Sequence, residues 1–333
     1  MNKLPPTMRA ARLHSFSETL EGLQVETIPT PQPGPGEVLV KVAASPVNPS
    51  DIGYLIGAAY DADLPAVPGF EGSGVVVAGG RGILPRYRLG HRVAFATQGG
   101  AWAEYVNVSA LQCFPVRKNV TLEAAGMSVV NPVSAWALIE MARKGPGRGL
   151  VVTGANSQLG RMLWRLGKRH GLAIINVVRR EAALIELREE GREHILNSSD
   201  PDFEPDLRKL CISLDVRRAA DLTSGSGTKT LLNALPDGSH LTGVGTLERE
   251  DIPVPFPALL HRGFTLDGYL LPTWFETISP LTLLRMYRAV PKLMESDFRS
   301  TVRARYPLAK VKEAVETYAG QLSGGKVLIL PGE

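Results

Sequence analysis

The chain has 333 residues, enough for two domains that each bury a core. Its 44% hydrophobic and 21% charged content are those of a soluble globular protein. The net charge of +4 suits small anionic ligands, but no block of five or six basic residues points to nucleic acid. Two cysteines, Cys113 and Cys211, supply neither a disulfide framework nor a four-thiolate zinc site, and a reducing cytoplasm is the compartment this implies. No apolar run reaches the 18 or so residues of a membrane span. Met1 to Pro6 has neither an apolar signal core nor the Arg- and Ser-rich character of a transit peptide.

From residue 8 to 125 the pattern is short β-type runs between Pro and Gly clusters: Met8 to Leu13, Leu23 to Thr27, Glu37 to Ala44, Gly74 to Ala78, Arg92 to Ala96 and Ala103 to Val108. Thr30 to Gly36, with three prolines and two glycines, is a turn. The period turns helical over Thr121 to Ala142, with Thr121 as N-cap and Glu123 in the first turn. From 150 to about 243 strands and helices alternate, which predicts a parallel sheet covered on both faces. A strand over Thr265 to Leu271 follows. Next comes a helix with Leu281, Leu284 and Tyr287 inward, ended or kinked at Pro291. A helix at Val311 to Ala319 and a strand at Lys326 to Leu330 close the chain.

The chemistry is concentrated in Leu150 to Arg180. A β-branched run, a turn of small residues (Gly154, Ala155, Asn156, Ser157, Gln158, Leu159, Gly160), a helix and the strand Ala173 to Val178 make a βαβ unit. Such a turn lets backbone N–H groups approach a pyrophosphate at a helix N-terminus. Asn156 stands where the commoner fingerprint has its middle glycine. The residue after the second strand reads the adenine ribose; here Arg179 and Arg180 stand there, 19 and 20 residues beyond Gly160. Guanidiniums match a 2′-phosphate rather than a hydroxyl, so the expected cofactor is NADPH.

The chain resembles the medium-chain dehydrogenase/reductase superfamily over nearly its whole length. The resemblance rests on Val47 to Ile52 (VNPSDI), Leu64 to Gly72 (LPAVPGFEG), Val130-Asn131-Pro132, Asn156-Ser157 with Gly160, and Ile175 to Arg179. It is nearest to the zinc-free branch of trans-2-enoyl-thioester reductases and quinone oxidoreductases. The implied fold is α/β: a Rossmann doubly wound parallel sheet domain inserted in a GroES-like β-rich catalytic domain. The boundaries expected are 1–125, completed by 272–333, and 126–271. Zinc members carry a cysteine near the position of Asn48 and a histidine where Phe70 stands, so no metal site is expected; Glu71 reads as a structural carboxylate. The six histidines lack ligand spacing.

The resemblance also implies roles. Tyr60, just beyond Gly57, matches the proton-donating tyrosine, with Tyr54 as an alternative packed on a short helix. Asn48 matches a partner of the nicotinamide ribose or of a catalytic water, or else simply makes an Asx-turn before Pro49. Asn131 faces the nicotinamide side. Gly243, Val244, Gly245 and Thr246 form the loop beneath it, Tyr269, Leu270 and Leu271 meet the carboxamide, and Lys326 reaches the cofactor from the returning domain. Trp274 borders the acyl site. The expected activity is NADPH-dependent reduction of an activated C=C bond, as in an enoyl-CoA or enoyl-ACP thioester; quinone or enone reduction and non-catalytic NADPH binding are the alternatives. The expected partners are a small-molecule or acyl-thioester substrate, acyl carrier protein, and a second copy of the chain in a homodimer joined at the Thr265 to Leu271 edge. A cluster of Arg285, Arg288, Lys292, Arg299, Arg303 and Arg305 reads either as a solvated face with no ligand or as a surface that attracts an anionic carrier.

Overall fold

The computed structural model describes residues 4–58, 63–245, 251, 252, 254, 256–293, 300–321 and 324–333. The chain divides into two compact units, Met1–Pro132 with Leu284–Glu333, and Val133–Leu283.

In the first unit, β1 (Thr7–Leu13) and β2 (Leu23–Pro29) form an antiparallel hairpin from Thr7 opposite Pro29 to Leu13 opposite Leu23. There follow β3 (Glu37–Pro46), α1 (Pro49–Leu55), β4 (Glu71–Gly79), α2 (Ile83–Arg88), β5 (Arg92–Ala96), β6 (Tyr105–Ser109), β7 (Cys113–Pro115) and α3 (Leu122–Gly126). Val38, Val40, Val42, Val76, Val93, Phe95, Val106 and Val108 pack together, as β-branched and aromatic side chains do on a pleated surface. Thr121 caps α3 by accepting from the Ala124 N–H at 3.2 Å.

The second unit takes up α4 (Val130–Lys144) after its first turn. It then alternates: β8 (Gly149–Val152), α5 (Gln158–Arg169), β9 (Ala173–Val178), α6 (Glu181–Glu189), β10 (Ile195–Asn197), α7 (Phe203–Ser213), β11 (Arg218–Asp221), α8 (Gly227–Ala234), β12 (His240–Gly243), α9 (Phe256–Arg262), β13 (Thr265–Gly268) and α10 (Leu271–Thr277). The six strands run parallel in the order β10-β9-β8-β11-β12-β13. The chain moves outward from β8 first one way and then the other, so right-handed crossovers cover both faces, and the reversal lies between β8 and β11.

The helix α11 (Pro280–Leu293) leads back, and β14 (Val302–Pro307), α12 (Val311–Gly320) and β15 (Lys326–Leu330) complete the first unit. β15 pairs with β3 and β14, giving the order β14-β15-β3-β4-β5-β7 with β6 also on β3. Leu13, Val47, Leu55, Trp102, Val315, Val327 and Ile329 share a core, so the last strand completes the first domain's interior. No helix among the described residues is long and apolar enough to cross a membrane.

Several boundaries differ from the sequence reading. The first unit reaches Pro132 rather than 125. The reason is local: the N–H groups of Val129 and Val130 donate to Glu71 Oε2 at 3.1 and 2.8 Å, tying the first turn of α4 to β4. The second unit extends to Leu283 rather than 271. Trp274 of α10 packs on Trp136 and Tyr269, with centroids 6.2 and 6.3 Å apart. The strand expected over Thr265 to Leu271 stops at Gly268, because Leu271 opens α10 with Pro272 in its first turn. In α11 Met286, Val290 and Leu293 are the buried face, while Leu281 and Leu284 are exposed, and the helix continues through Pro291 to Leu293.

Candidate active site

The residues singled out by the sequence fall into two groups, one in each unit. In the second unit the turn between β8 and α5 is built on glycine where a side chain cannot stand. Gly154 has φ +54°, and a Cβ on Gly160 would lie 2.5 Å from the Ala155 carbonyl oxygen. Ser157 caps α5 by accepting from Gly160 N–H at 3.1 Å. The N–H groups of Asn156, Gln158 and Leu159 have no acceptor among the described residues. Three N–H groups at the positive end of a 12-residue helix suit an anion with several oxygens, such as a pyrophosphate.

Arg179 and Arg180 follow β9 directly, and both are exposed. The Arg179 carbonyl is held by Ser199 Oγ at 3.0 Å, and Arg180 is the N-cap residue of α6. β9 lies beside β8, so the strand that ends at the small-residue turn neighbours the strand that ends at the arginine pair.

A buried carboxylate, Asp221, ties the ends of β8 and β11 together. Its Oδ1 accepts from Thr153 Oγ1 at 2.6 Å and from the Thr223 and Ser224 N–H groups at 3.1 and 3.0 Å, and its Oδ2 accepts from Thr228 Oγ1 at 2.6 Å. Burial alone would raise its pKa; the hydroxyl and backbone donors outweigh that and hold it below the usual value. The Asp221 carbonyl accepts from Val244 N–H at 2.8 Å, and Ser224 Oγ donates to the Gly245 carbonyl, which fixes the Gly243 to Gly245 segment. Thr246 lies outside the described residues. Tyr269 N–H donates to the Gly243 carbonyl at 2.8 Å, and its ring is buried, whereas Leu270 is 53% exposed. Trp274 is half-buried, with Tyr269, Trp136 and Phe275 around it.

In the first unit, Asn48, Asp51, Glu71 and Lys326 form a buried cluster. Asn48 is the N-cap residue of α1, and its N–H donates to Asp51 Oδ2 at 2.7 Å. Its amide Nδ2 donates to Glu71 Oε1 at 3.0 Å, and its Oδ1 accepts from Lys326 Nζ. Burial raises the Glu71 pKa against the pull of Lys326 and the Val130 N–H. Burial likewise lowers the Lys326 pKa against the pull of both carboxylates. Burial pushes Asp51 up to about 7, the neighbouring Glu71 charge adding to it against the Asn48 N–H. Lys326, expected to reach toward a cofactor, is therefore only 1% exposed and bonded inside its own unit. Asn131 lies in the first turn of α4, one residue beyond the Val130 N–H that Glu71 holds.

Tyr60 lies outside the described residues. Tyr54 is packed edge-on against Phe16 and Phe70, at 6.4 and 5.4 Å. Among the described residues no three His, Cys, Asp or Glu side chains converge as a metal site would require. Of the supposed basic cluster, Arg285, Arg288 and Lys292 share an exposed face of α11, but Arg305 is paired with Glu123 at 2.7 Å. Arg303 donates to the Thr317 and Gln321 carbonyls, and Arg299 lies outside the described residues. Two further residues of the second unit escaped the sequence reading. Asp221 lies in a short apolar run with no motif around it, and Arg192 sits in an unremarkable Gly-Arg-Glu-His stretch. Only a fold shows what either side chain touches.

The profile of the alcohol dehydrogenase GroES-like domain matches residues 34–118. A mitochondrial enoyl-[acyl-carrier-protein] reductase of Caenorhabditis elegans is 30% identical over 80% of each chain. A candidate quinone oxidoreductase of Schizosaccharomyces pombe is 26% identical over 93% of this chain and 94% of that protein. Among solved structures, a candidate NADPH:quinone reductase from Mesorhizobium loti superposes with a TM-score of 0.89 at 30% identity, covering 99% of this chain and 100% of that one. The chain belongs to the zinc-free branch of the medium-chain dehydrogenase/reductase superfamily and is an oxidoreductase.

Proposed function

We propose that the protein is an NADPH-dependent reductase of an activated carbon–carbon double bond, with a trans-2-enoyl thioester as its substrate. One observation carries the cofactor choice: Arg179 and Arg180 stand exposed at the end of β9, beside the strand that feeds the small-residue turn. A 2′-phosphate is matched by two guanidiniums in a way that a ribose hydroxyl is not. The substrate class is supported by the similarity to an enoyl-[acyl-carrier-protein] reductase.

The nicotinamide, when bound, supplies the hydride. The protein's part is to hold the pyrophosphate on the 154–160 turn, orient the ring through Gly243 to Thr246 and Tyr269 to Leu271, and manage charge and proton at the substrate. Hydride delivered to the β-carbon of an enoyl thioester leaves an enolate, which needs a donor at its oxygen and a proton at the α-carbon. Tyr60 takes that role: an ordinary tyrosine pKa near 10 keeps its proton at neutral pH. Asn48, held between Lys326 and Glu71, is a fixed amide for a ribose hydroxyl or a water. Trp274 and its aromatic neighbours border the acyl group. Coenzyme A or acyl carrier protein carries the acyl group, and the enzyme works as a homodimer.

The second reading, quinone reduction on the same scaffold, is favoured by the likeness to a candidate NADPH:quinone reductase over the full chain. NADPH oxidation measured in parallel with crotonyl-CoA and with a naphthoquinone separates the two. Turnover of crotonyl-CoA at least about tenfold higher in kcat/KM supports the thioester reading; the reverse order overturns it.

A further inference from the structure

Arg192, in the turn between α6 and β10, is the most completely enclosed guanidinium in the second unit's ion pairs, with a side chain 0% exposed. Its Nη1 donates to the Ala155 carbonyl at 3.1 Å and to Asn176 Oδ1 at 2.8 Å. Its Nε and Nη2 donate to Glu190 Oε2 at 3.0 and 2.7 Å. Its plane lies over Trp164 of α5, 4.8 Å from the ring centroid. Burial, with repulsion from Arg161 and Arg165, lowers its pKa to about 9, so it stays charged at neutral pH. One side chain thus touches the small-residue turn, the strand that leads to Arg179 and Arg180, and the helix between them.

The contact with Ala155 has a geometric consequence. Leu64–Pro65 is the one cis bond among the described residues, so the Ala155–Asn156 peptide is trans, and its C=O and N–H point in opposite directions. With the carbonyl turned in to a buried guanidinium, the Asn156 N–H is turned out. That N–H has no acceptor among the described residues. Ala155 N–H is itself fixed on the Val177 carbonyl at 3.2 Å. Asn tolerates the left-handed region, so the backbone preference of Asn156 does not by itself hold the 155–156 peptide in this orientation. A flipped peptide would present a carbonyl oxygen where a phosphate oxygen is to sit, and would leave Arg192 without one of its acceptors.

We propose that Arg192 is a positioning residue for nucleotide binding: it locks the Ala155–Asn156 peptide in the orientation that presents the Asn156 N–H to the pyrophosphate. This rests on the NADPH-binding role proposed above. The pyrophosphate is common to NADPH and NADH, so Arg192 acts on both cofactors alike, whereas Arg179 and Arg180 act on one.

The test compares Arg192→Met, Arg192→Lys and the wild-type protein. Dissociation constants for NADPH and NADH are measured by titration of tryptophan fluorescence, with thermal unfolding followed alongside. Arg192→Met is expected to weaken both nucleotides by about tenfold or more, with their ratio unchanged within about twofold. A lysine cannot reproduce the fork that reaches three acceptors, so Arg192→Lys is expected to fall between, at about three- to tenfold. In steady state the nucleotide KM rises and kcat stays within about twofold. A purely structural role would instead lower Tm and the active fraction, hence kcat, while leaving the Kd of the folded molecules unchanged. Wild-type affinity for both nucleotides in a folded Arg192 variant overturns the proposal, and so does loss confined to NADPH. If Arg192→Met does not fold, Arg192→Lys decides by the same criteria. A wild-type protein that binds neither nucleotide overturns the cofactor reading itself and this proposal with it.

Discussion

On the proposed cofactor reading, each contact from Arg179 or Arg180 to a 2′-phosphate would be a charge-assisted hydrogen bond worth about 1.5–3 kcal/mol. Replacing both with Ala should weaken NADPH by at least about a hundredfold and NADH by less than about threefold. Equal losses in a binding titration would remove the arginines from cofactor selection. In the buried cluster of the first unit, Asp51 has its pKa raised to about 7 by burial, so between its unfolded value near 4 and about 7 the folded state holds a proton that the unfolded state has lost. Stability therefore falls as pH rises through that window, with a limiting slope of about 1.4 kcal/mol per pH unit for one proton. Asp51→Asn keeps an acceptor for the Asn48 N–H and removes the titration. Its urea-unfolding free energy should be flatter from pH 4 to 7 than that of the wild type; a matching slope would mean that Asp51 is ionised throughout.

At the scale of elements, the turn from β8 to α5 is the most constrained junction. Ala155 packs so closely on Gly160 that any Cβ there meets backbone rather than a movable side chain. Gly160→Ala should cost about 1–3 kcal/mol in stability, as overpacking does, and should weaken both nucleotides because the helix N-terminus shifts. A variant with unchanged Tm and unchanged Kd would show that the approach relaxes freely. Gly167 of the same helix serves as a control, because the atoms its Cβ would meet belong to the Ile174 and Ile139 side chains, which can move. Its alanine variant should affect stability more than binding.

For the whole molecule, assembly is the open consequence of the fold. β13 is the last strand in its sheet, with only Leu266 of its four residues partly shielded, and its outer hydrogen-bonding edge pairs with no strand among the described residues. Phe256 and Leu260 of α9 and Leu270, all near it in sequence, are more than half exposed. An isologous pairing of two such edges would continue the sheet across a two-fold axis. Light scattering at micromolar concentration should give twice the chain mass, and Leu266→Pro on the edge should shift it toward the monomer. A wild-type monomer would exclude the pairing.

The sequence by itself determined the class of the fold and the place of the turn. Hydrophobic period is a local property, and it marked β1 to β6 and every strand from β8 to β13. It also marked β15 residue for residue, because those side chains must face a core whatever its details. It missed the short β7, β14, whose Val-Arg-Ala-Arg-Tyr-Pro run alternates with arginines, and the helices α2, α7, α9 and α10, of which α7 carries Pro205 in its first turn. It placed the tail helix and turned Tyr287 inward, where it stacks on Phe114, but it also expected Leu281 and Leu284 inward, since they fit the period as well as Met286 and Val290 do. The arginine pair was legible because it follows its strand directly. Arg192 and Asp221 were not, because a buried charge is defined by its partners. Arg192 gains its meaning from Ala155, 37 residues away, and Asp221 from Thr153, 68 residues away. Lys326 was assigned from its motif to a cofactor, and only the closing of β15 onto β3 brought it to Asn48, 278 residues earlier in the chain. Local pattern fixes which face a residue presents, while the partner it meets there depends on chain closure, and for buried polar groups the partner is the function.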